Sequence, residues 1–180
     1  MTAKKKNSVS KKIAFCGIMG AVSVLVLYFG SLIDVLDLSM SVIASLSVVL
    51  VVVEIGYSYA WMTYAAAGIL SALLLPKKLA AVFFLIFMGY YPILKSYIEK
   101  LNSAVVRWIL KLLSANTALV VFYFALKLFM PEELETGTLL VVMYVIAIIG
   151  FVLYDVAITQ LISLYFYKFR DRLRIYRLLK

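Results

Sequence analysis

Histidine is absent from these 180 residues, and cysteine occurs once. Without histidine the chain lacks the commonest general base at neutral pH and the commonest metal ligand. With Cys16 alone, no disulfide can close within the chain and no thiolate cluster can hold a metal. Cys16 sits among apolar neighbours and reads as a small packing residue. Charge is scarce as well, at 15% of residues, where soluble domains carry about 25%. Enzyme signatures are missing too: no phosphate-binding glycine loop, no G-x-S-x-G elbow, no His-Glu zinc helix. Asp34 and Asp37 share a short loop, which is too little for a metal site. Carboxylate and lysine chemistry stay open, but the chain reads as a non-enzyme with no cofactor.

Apolar side chains take the space instead. They make up 66% of the chain, with a mean hydropathy of +1.06. A water-soluble core of this size cannot hide that much apolar surface, so the solvent for most of the protein is lipid. Six spans of about 20 residues would use roughly two-thirds of the length. Strand-like alternation is absent, which argues against a membrane barrel. The expected fold is all-α: a polytopic membrane protein forming a single integral membrane domain over 1–180, with spans at 13–33, 38–55, 59–75, 79–94, 109–130 and 138–167. Between the fourth and fifth spans, from Lys95 to Lys111, apolar residues recur at helical spacing among charges. That pattern predicts an amphipathic interfacial helix.

The net charge of +9 would suggest nucleic acid in a soluble protein, but its placement points to a membrane. Lys4, Lys5, Lys6, Lys11 and Lys12 precede the first apolar run, and Lys168, Arg170, Arg172, Arg174, Arg177 and Lys180 follow the last. Basic flanks mark the cytoplasmic side and attract anionic headgroups. Both tails, 1–12 and 168–180, are therefore expected in the cytoplasm, with an even number of spans between them. Lys77, Lys78 and Lys127 then fall on the outer side, together with Asp34, Asp37 and the acidic turn Glu132 to Glu135.

Polar groups within spans are expensive, at about 2.5–3.5 kcal/mol for a charge at mid-helix. Glu54, Lys95, Lys111, Asn116 and Asp155 all fall in the cytoplasmic third of their spans. Opposite signs at one depth predict pairing, with Glu54 or Asp155 facing Lys95 or Lys111. Such a layer is either structural or a face for a partner, a proton or a solute. Small residues also recur three or four apart: Ala14, Gly17 and Ala21 in the first span, Ser41, Ala44 and Ser45 in the second, Ala60, Thr63, Ala67 and Ser71 in the third. These stripes let helices approach closely, within the chain or with another membrane protein. The 13 tyrosines and 11 phenylalanines concentrate near the interfaces. Tyr90, Tyr91, Tyr97, Trp108, Tyr165, Tyr167 and Tyr176 lie at the inner one, and Tyr28, Phe29 and Phe129 at the outer one. Anchoring explains most of them.

A basic tail, a first helix with Ala14, Gly17 and Ala21, a serine-rich second helix (Leu38-Ser39-Met40-Ser41-Val42-Ile43-Ala44) and a small-residue third helix ending at Pro76 together resemble a known layout. It is similar to the substrate-binding S component of energy-coupling factor vitamin transporters, with Gly17 where that family has the first of two alanines four apart. The resemblance implies a multi-pass subunit of the cell (inner) membrane that binds a vitamin or similar small molecule near the outer side. It also implies docking, through Ala14, Gly17 and Ala21, onto a coupling subunit driven by two cytoplasmic ATPases. Asp34, Asp37 and Lys77 would lie in the capping loops that contact the ligand. A second reading, from another class, is a non-transporting membrane scaffold or regulatory subunit of an envelope-assembly complex. Under either reading, an amino-terminal tag should be shielded in intact cells and react with a membrane-impermeant reagent only after permeabilisation. Reaction from outside would overturn the orientation.

Overall fold

A computed structural model describes residues 3–129 and 138–169, with side chains covered within 9–33, 35–125, 127 and 141–168. The acidic turn at 131–137, the basic tail from 170 onward and the side chains of Lys4, Lys5, Lys6 and Asp34 lie outside the described residues.

Those residues form seven α-helices and no strand. Helix α1 spans Ala3–Leu32 and is joined by a single 3-10 turn, Asp34–Leu36, to α2, Asp37–Glu54. Helix α3 spans Tyr57–Leu74, and α4, Leu79–Phe83, runs on through a π turn at Phe84–Met88. Helix α5 is Tyr91–Ile98, α6 is Ala104–Phe129, and α7 is Thr138–Leu164, which continues as a π turn to Phe169. Five stretches are long and apolar enough to cross a bilayer, as a multi-pass membrane protein requires: Val9–Leu32, Asp37–Glu54, Leu79–Ile98, Ala104–Ala125 and Val141–Lys168. Helix α3, at 18 residues, has the length. Tyr57, Ser58, Tyr59, Trp61, Thr63 and Tyr64 make its first half less apolar than the other five.

Local chemistry accounts for the turns. Between α2 and α3 the chain reverses within two residues, and Gly56 takes φ +118°, a conformation that glycine adopts without a Cβ penalty. Pro76 holds Leu75 in extended backbone (φ −70°, ψ 135°) and so ends α3. Lys78 then folds back so that its ammonium donates to the Leu75 carbonyl at 2.7 Å, where a helix C-terminus favours a cation. Pro92 enters α5 in its first turn, where no donor is needed.

The stretch from Lys95 to Lys111, expected as one amphipathic helix, is instead divided. Lys95 belongs to α5, residues 99–103 form a turn, and Lys111 lies in α6. Ser103 caps the new helix, its Oγ accepting from the Val106 N–H at 3.5 Å, and Arg107 closes the turn by donating to the Leu101 carbonyl at 3.0 Å. The reversal carries α6 back beside α5, which brings both lysines to one carboxylate.

Helices α1 to α4 share a close-packed core around Leu27, Ala44, Val48, Ala67 and Phe84. Small residues set the spacing: a Cβ on Gly30 would lie 2.7 Å from the Met40 Cβ. Hydroxyls reach across to carbonyls of neighbouring helices, Ser23 to Ala44 at 3.1 Å, Ser41 to Ala80 at 2.9 Å and Tyr64 to Leu85 at 2.6 Å, a common adhesive where apolar surfaces have no water to flee. A second cluster, with Met88, Tyr91, Ala115, Phe151, Tyr154 and Ile158, joins α6 and α7 to this core.

Gly89, at the end of the first π turn, has no room for a side chain. A Cβ there would sit 2.7 Å from Tyr64 Cδ2 and 2.8 Å from the Phe84 carbonyl. Tyr64 cannot swing away without losing its bond to Leu85. Gly89→Ala should therefore destabilise by about 1–3 kcal/mol. Gly17→Ala, where the new Cβ meets nothing within 4 Å, should stabilise by up to about 1 kcal/mol. Thermal unfolding in detergent compares the two, and an unchanged midpoint for Gly89→Ala would contradict the packing described.

Candidate functional site

Three charged side chains converge where α5, α6 and α7 meet. Lys95, Lys111 and Asp155 are 1%, 8% and 3% exposed. The Lys95 ammonium pairs with Asp155 Oδ1 and also donates to the Asp155 carbonyl at 3.0 Å and to Thr159 Oγ1 at 2.7 Å. Lys111 takes the other carboxylate oxygen, Oδ2, at 2.8 Å. The Tyr91 hydroxyl donates to Oδ1 at 2.6 Å. Glu99 completes the group at its rim: its Oε1 lies 3.1 Å from Lys95 Nζ and 3.4 Å from Lys111 Nζ, and its side chain is 41% exposed. Two cations therefore face two anions, and the cluster is neutral as a whole. That neutrality is what lets charge persist among apolar helices.

Sequence reasoning placed five residues in this layer, and the fold brings three of them together. Glu54 is apart from it, at the end of α2, where its Oε1 accepts from the Tyr165 hydroxyl at 2.8 Å. Asn116 is apart as well: its side-chain carbonyl accepts from Tyr144 and its amide donates to the Leu112 carbonyl at 2.8 Å. Asn116 follows Lys111 by five residues, a rotation of about 140° around the helix, so it faces a different neighbour. The fold adds Glu99, Tyr91 and Thr159 to the layer. A signal for them exists in the four-residue spacings Tyr91–Lys95, Lys95–Glu99 and Asp155–Thr159, which place each pair on one helix face.

Four rings lie against the cluster. Phe87, Tyr91, Phe151 and Tyr154 pack with centroids 5.2 to 5.9 Å apart, distances usual for offset and edge-to-face pairs. The Tyr154 hydroxyl reaches both Ser45 Oγ at 2.9 Å and the Met88 carbonyl at 3.0 Å. On the far side of these rings is a cleft of about 490 Å³, bounded by α2, α4 with its π turn, α6 and α7. Val42, Phe83, Phe122, Met143, Ile146 and Gly150 are among its walls. Phe83 and Phe122, both in its walls, stack on each other at 4.7 Å. Met143 lies 12 residues before Asp155, or about 18 Å along α7. The cleft thus occupies the end of the bundle with the 33–36 and 75–78 turns, and the ion cluster the end with residues 55–56 and 99–103.

The remaining expected site residues divide. On α1, Ala14, Gly17 and Ala21 are exposed, while Gly20, Ser23, Leu27 and Gly30 on the opposite face are buried against α2 and α3. The α3 stripe Ala60, Thr63, Ala67 and Ser71 is buried, as are Ser41, Ala44 and Ser45 of α2. Equal spacing has produced one inward stripe and one outward one. Asp37 is buried at the start of α2 and Lys77 is exposed after α3, and neither lines the cleft, although Leu38 does. No family model, curated protein or solved structure matches this chain.

Removing the shared carboxylate should be the most damaging single change in the cluster. Asp155→Asn leaves Lys95 and Lys111 buried with only the rim carboxylate of Glu99 and should lose about 3–5 kcal/mol. Glu99→Gln acts on a half-exposed group and should lose no more than about 1 kcal/mol. Unfolding midpoints of both variants and of Lys95→Met/Asp155→Leu test this, the double change being expected to recover part of the Asp155→Asn loss, since Lys111 still lacks its Asp155 partner. Equal effects of Asp155→Asn and Glu99→Gln would sink the assignment of Asp155 as the hub.

Proposed function

We propose that this chain is the membrane-embedded substrate-binding subunit of an uptake transporter for a small, vitamin-like solute. The observation that carries the reading is the cleft of about 490 Å³, a size within the range of about 300–1,000 Å³ typical of small-molecule sites. Helix α3 serves as a sixth span, its 18 residues covering about 27 Å. Six spans keep both termini in the cytoplasm of the cell-membrane protein, where the basic tails meet anionic headgroups. Lys78, bound to carbonyls at the end of α3, is then a local helix cap on the outer side. In this orientation the cleft opens toward the outer half, beneath loops carrying Asp34, Asp37 and Lys77. The rings and the ion cluster close it off from the cytoplasm. The chain binds and presents a ligand and performs no reaction itself.

The outward α1 stripe of Ala14, Gly17 and Ala21 is the docking face for a coupling subunit with cytoplasmic ATPases. It would equally serve a non-transporting scaffold or regulator in an envelope-assembly complex, and the partner decides between them. Gly17→Leu points into open space, so the fold should survive while co-purification of the coupling subunit and ATPases from native membranes falls by roughly tenfold or more. Envelope-synthesis proteins recovered in place of ATPases would rule out transport.

A further inference from the structure

Taking the cleft as the binding site, we propose that its ligand is a single hydrocarbon chain, alkyl or isoprenoid, and not a polar solute. Among the described residues the walls carry no charged side chain, and the one hydroxyl there, that of Tyr154, is already engaged by Ser45 and the Met88 carbonyl. The lining segments are helical, so their backbone groups are mostly committed to neighbouring turns. A ligand buried here must leave each of its own polar groups unmatched, and each lowers affinity by about fivefold to a hundredfold. Small-molecule sites ordinarily present a few convergent polar groups to orient a ligand; the described walls present no side-chain polar group that is not already engaged.

Size and shape narrow the occupant further. A helix about 10 Å across would fill 490 Å³ in little more than one turn, so a partner span does not fit. From Met143 to Tyr154 the cleft follows α7 for about 16 Å. Spread over that length, 490 Å³ leaves roughly 30 Å² of cross-section, room for one chain. The α7 wall is loose: Met143 and Ile146 face the cleft yet are 58% and 63% exposed. A chain can slide in sideways between α6 and α7, from a bilayer lipid or from a free amphiphile.

The test uses the full chain in nanodiscs of phosphatidylethanolamine and phosphatidylglycerol, irradiated with a mid-chain diazirine probe. One arm uses the probe as free hexadecanoic acid and the other as the acyl chain of a phospholipid. Adducts mapped by mass spectrometry should fall on Phe122, Met143 or Ile146, and unlabelled hexadecanoic acid should compete with them. Cleft labelling in the first arm identifies a free amphiphile, and in the second a bilayer lipid. Gly150→Phe, whose side chain would enter open space, and Ala147→Phe as a second plug should reduce these adducts roughly fivefold or more. Labelling of the lipid-facing α6 residues Val120 and Phe124 should not change. Cleft labelling no greater than at Val120 and Phe124, or displacement of the probe by riboflavin or thiamine, overturns the proposal. Failure of the transport reading looks different: cleft labelling stays intact, in the parent and in Gly17→Leu, while no coupling subunit is recovered with the parent.

Discussion

The carboxylate of Asp155 is the constraint on which the lower half of this molecule depends. A single charge at mid-helix costs about 2.5–3.5 kcal/mol to insert, and three such charges left apart would strain any helical bundle. Held together they satisfy one another: Lys95 and Tyr91 occupy one oxygen and Lys111 the other. The arrangement works only if α5, α6 and α7 keep fixed rotations and depths. A polar contact thus does what apolar packing does poorly in lipid, since hydrocarbon surfaces gain little by preferring each other to acyl chains. The ring layer of Phe87, Tyr91, Phe151 and Tyr154 is seated on this contact through Tyr91, whose hydroxyl is part of it.

Two packing regimes share the bundle. Among α1, α2, α3 and α4, small residues and shared hydroxyls bring backbones close, and the interior is filled. Between those helices and the first half of α7, bulky side chains stand apart and leave the cleft. The ion cluster lies at the closed end, so changes at the open end need not disturb it.

Much of this was legible in the sequence because lipid penalises charge so heavily. Asp155 stands out in apolar surroundings, Lys95 and Lys111 stand at the two edges of a charged stretch where it meets apolar runs, and their opposite signs at one depth announce the pairing. Depth says nothing of direction around a helix, which is why Glu54 and Asn116, at similar depth, turn to Tyr165 and Tyr144 instead. Glu99 was hidden for the opposite reason, in a stretch where charges are ordinary. The stripes on α1 and α3 read alike, yet the first is open and the second enclosed, because spacing records that a close approach is allowed and not which neighbour makes it. The cleft left no trace at all. Its walls come from four distant segments, each as apolar as the lipid-facing sides.

The π turn at Phe84–Met88 has a consequence for how change can be tolerated along the fourth span. Its closing bond, from the Gly89 N–H to the Phe84 carbonyl at 2.8 Å, loops one residue more than an α turn. That extra residue resets the angular phase of everything after it by about 100°. Tyr91 and Lys95 point inward because of this offset, so their direction is encoded in a count of backbone atoms as well as in their own identity. Losing one residue between 84 and 88 would close the π turn into an α turn and leave Tyr91 and Lys95 facing Asp155, whereas losing one between Tyr91 and Lys95 would carry Lys95 about 100° around the helix from Tyr91. Length here is as much a part of the site as composition.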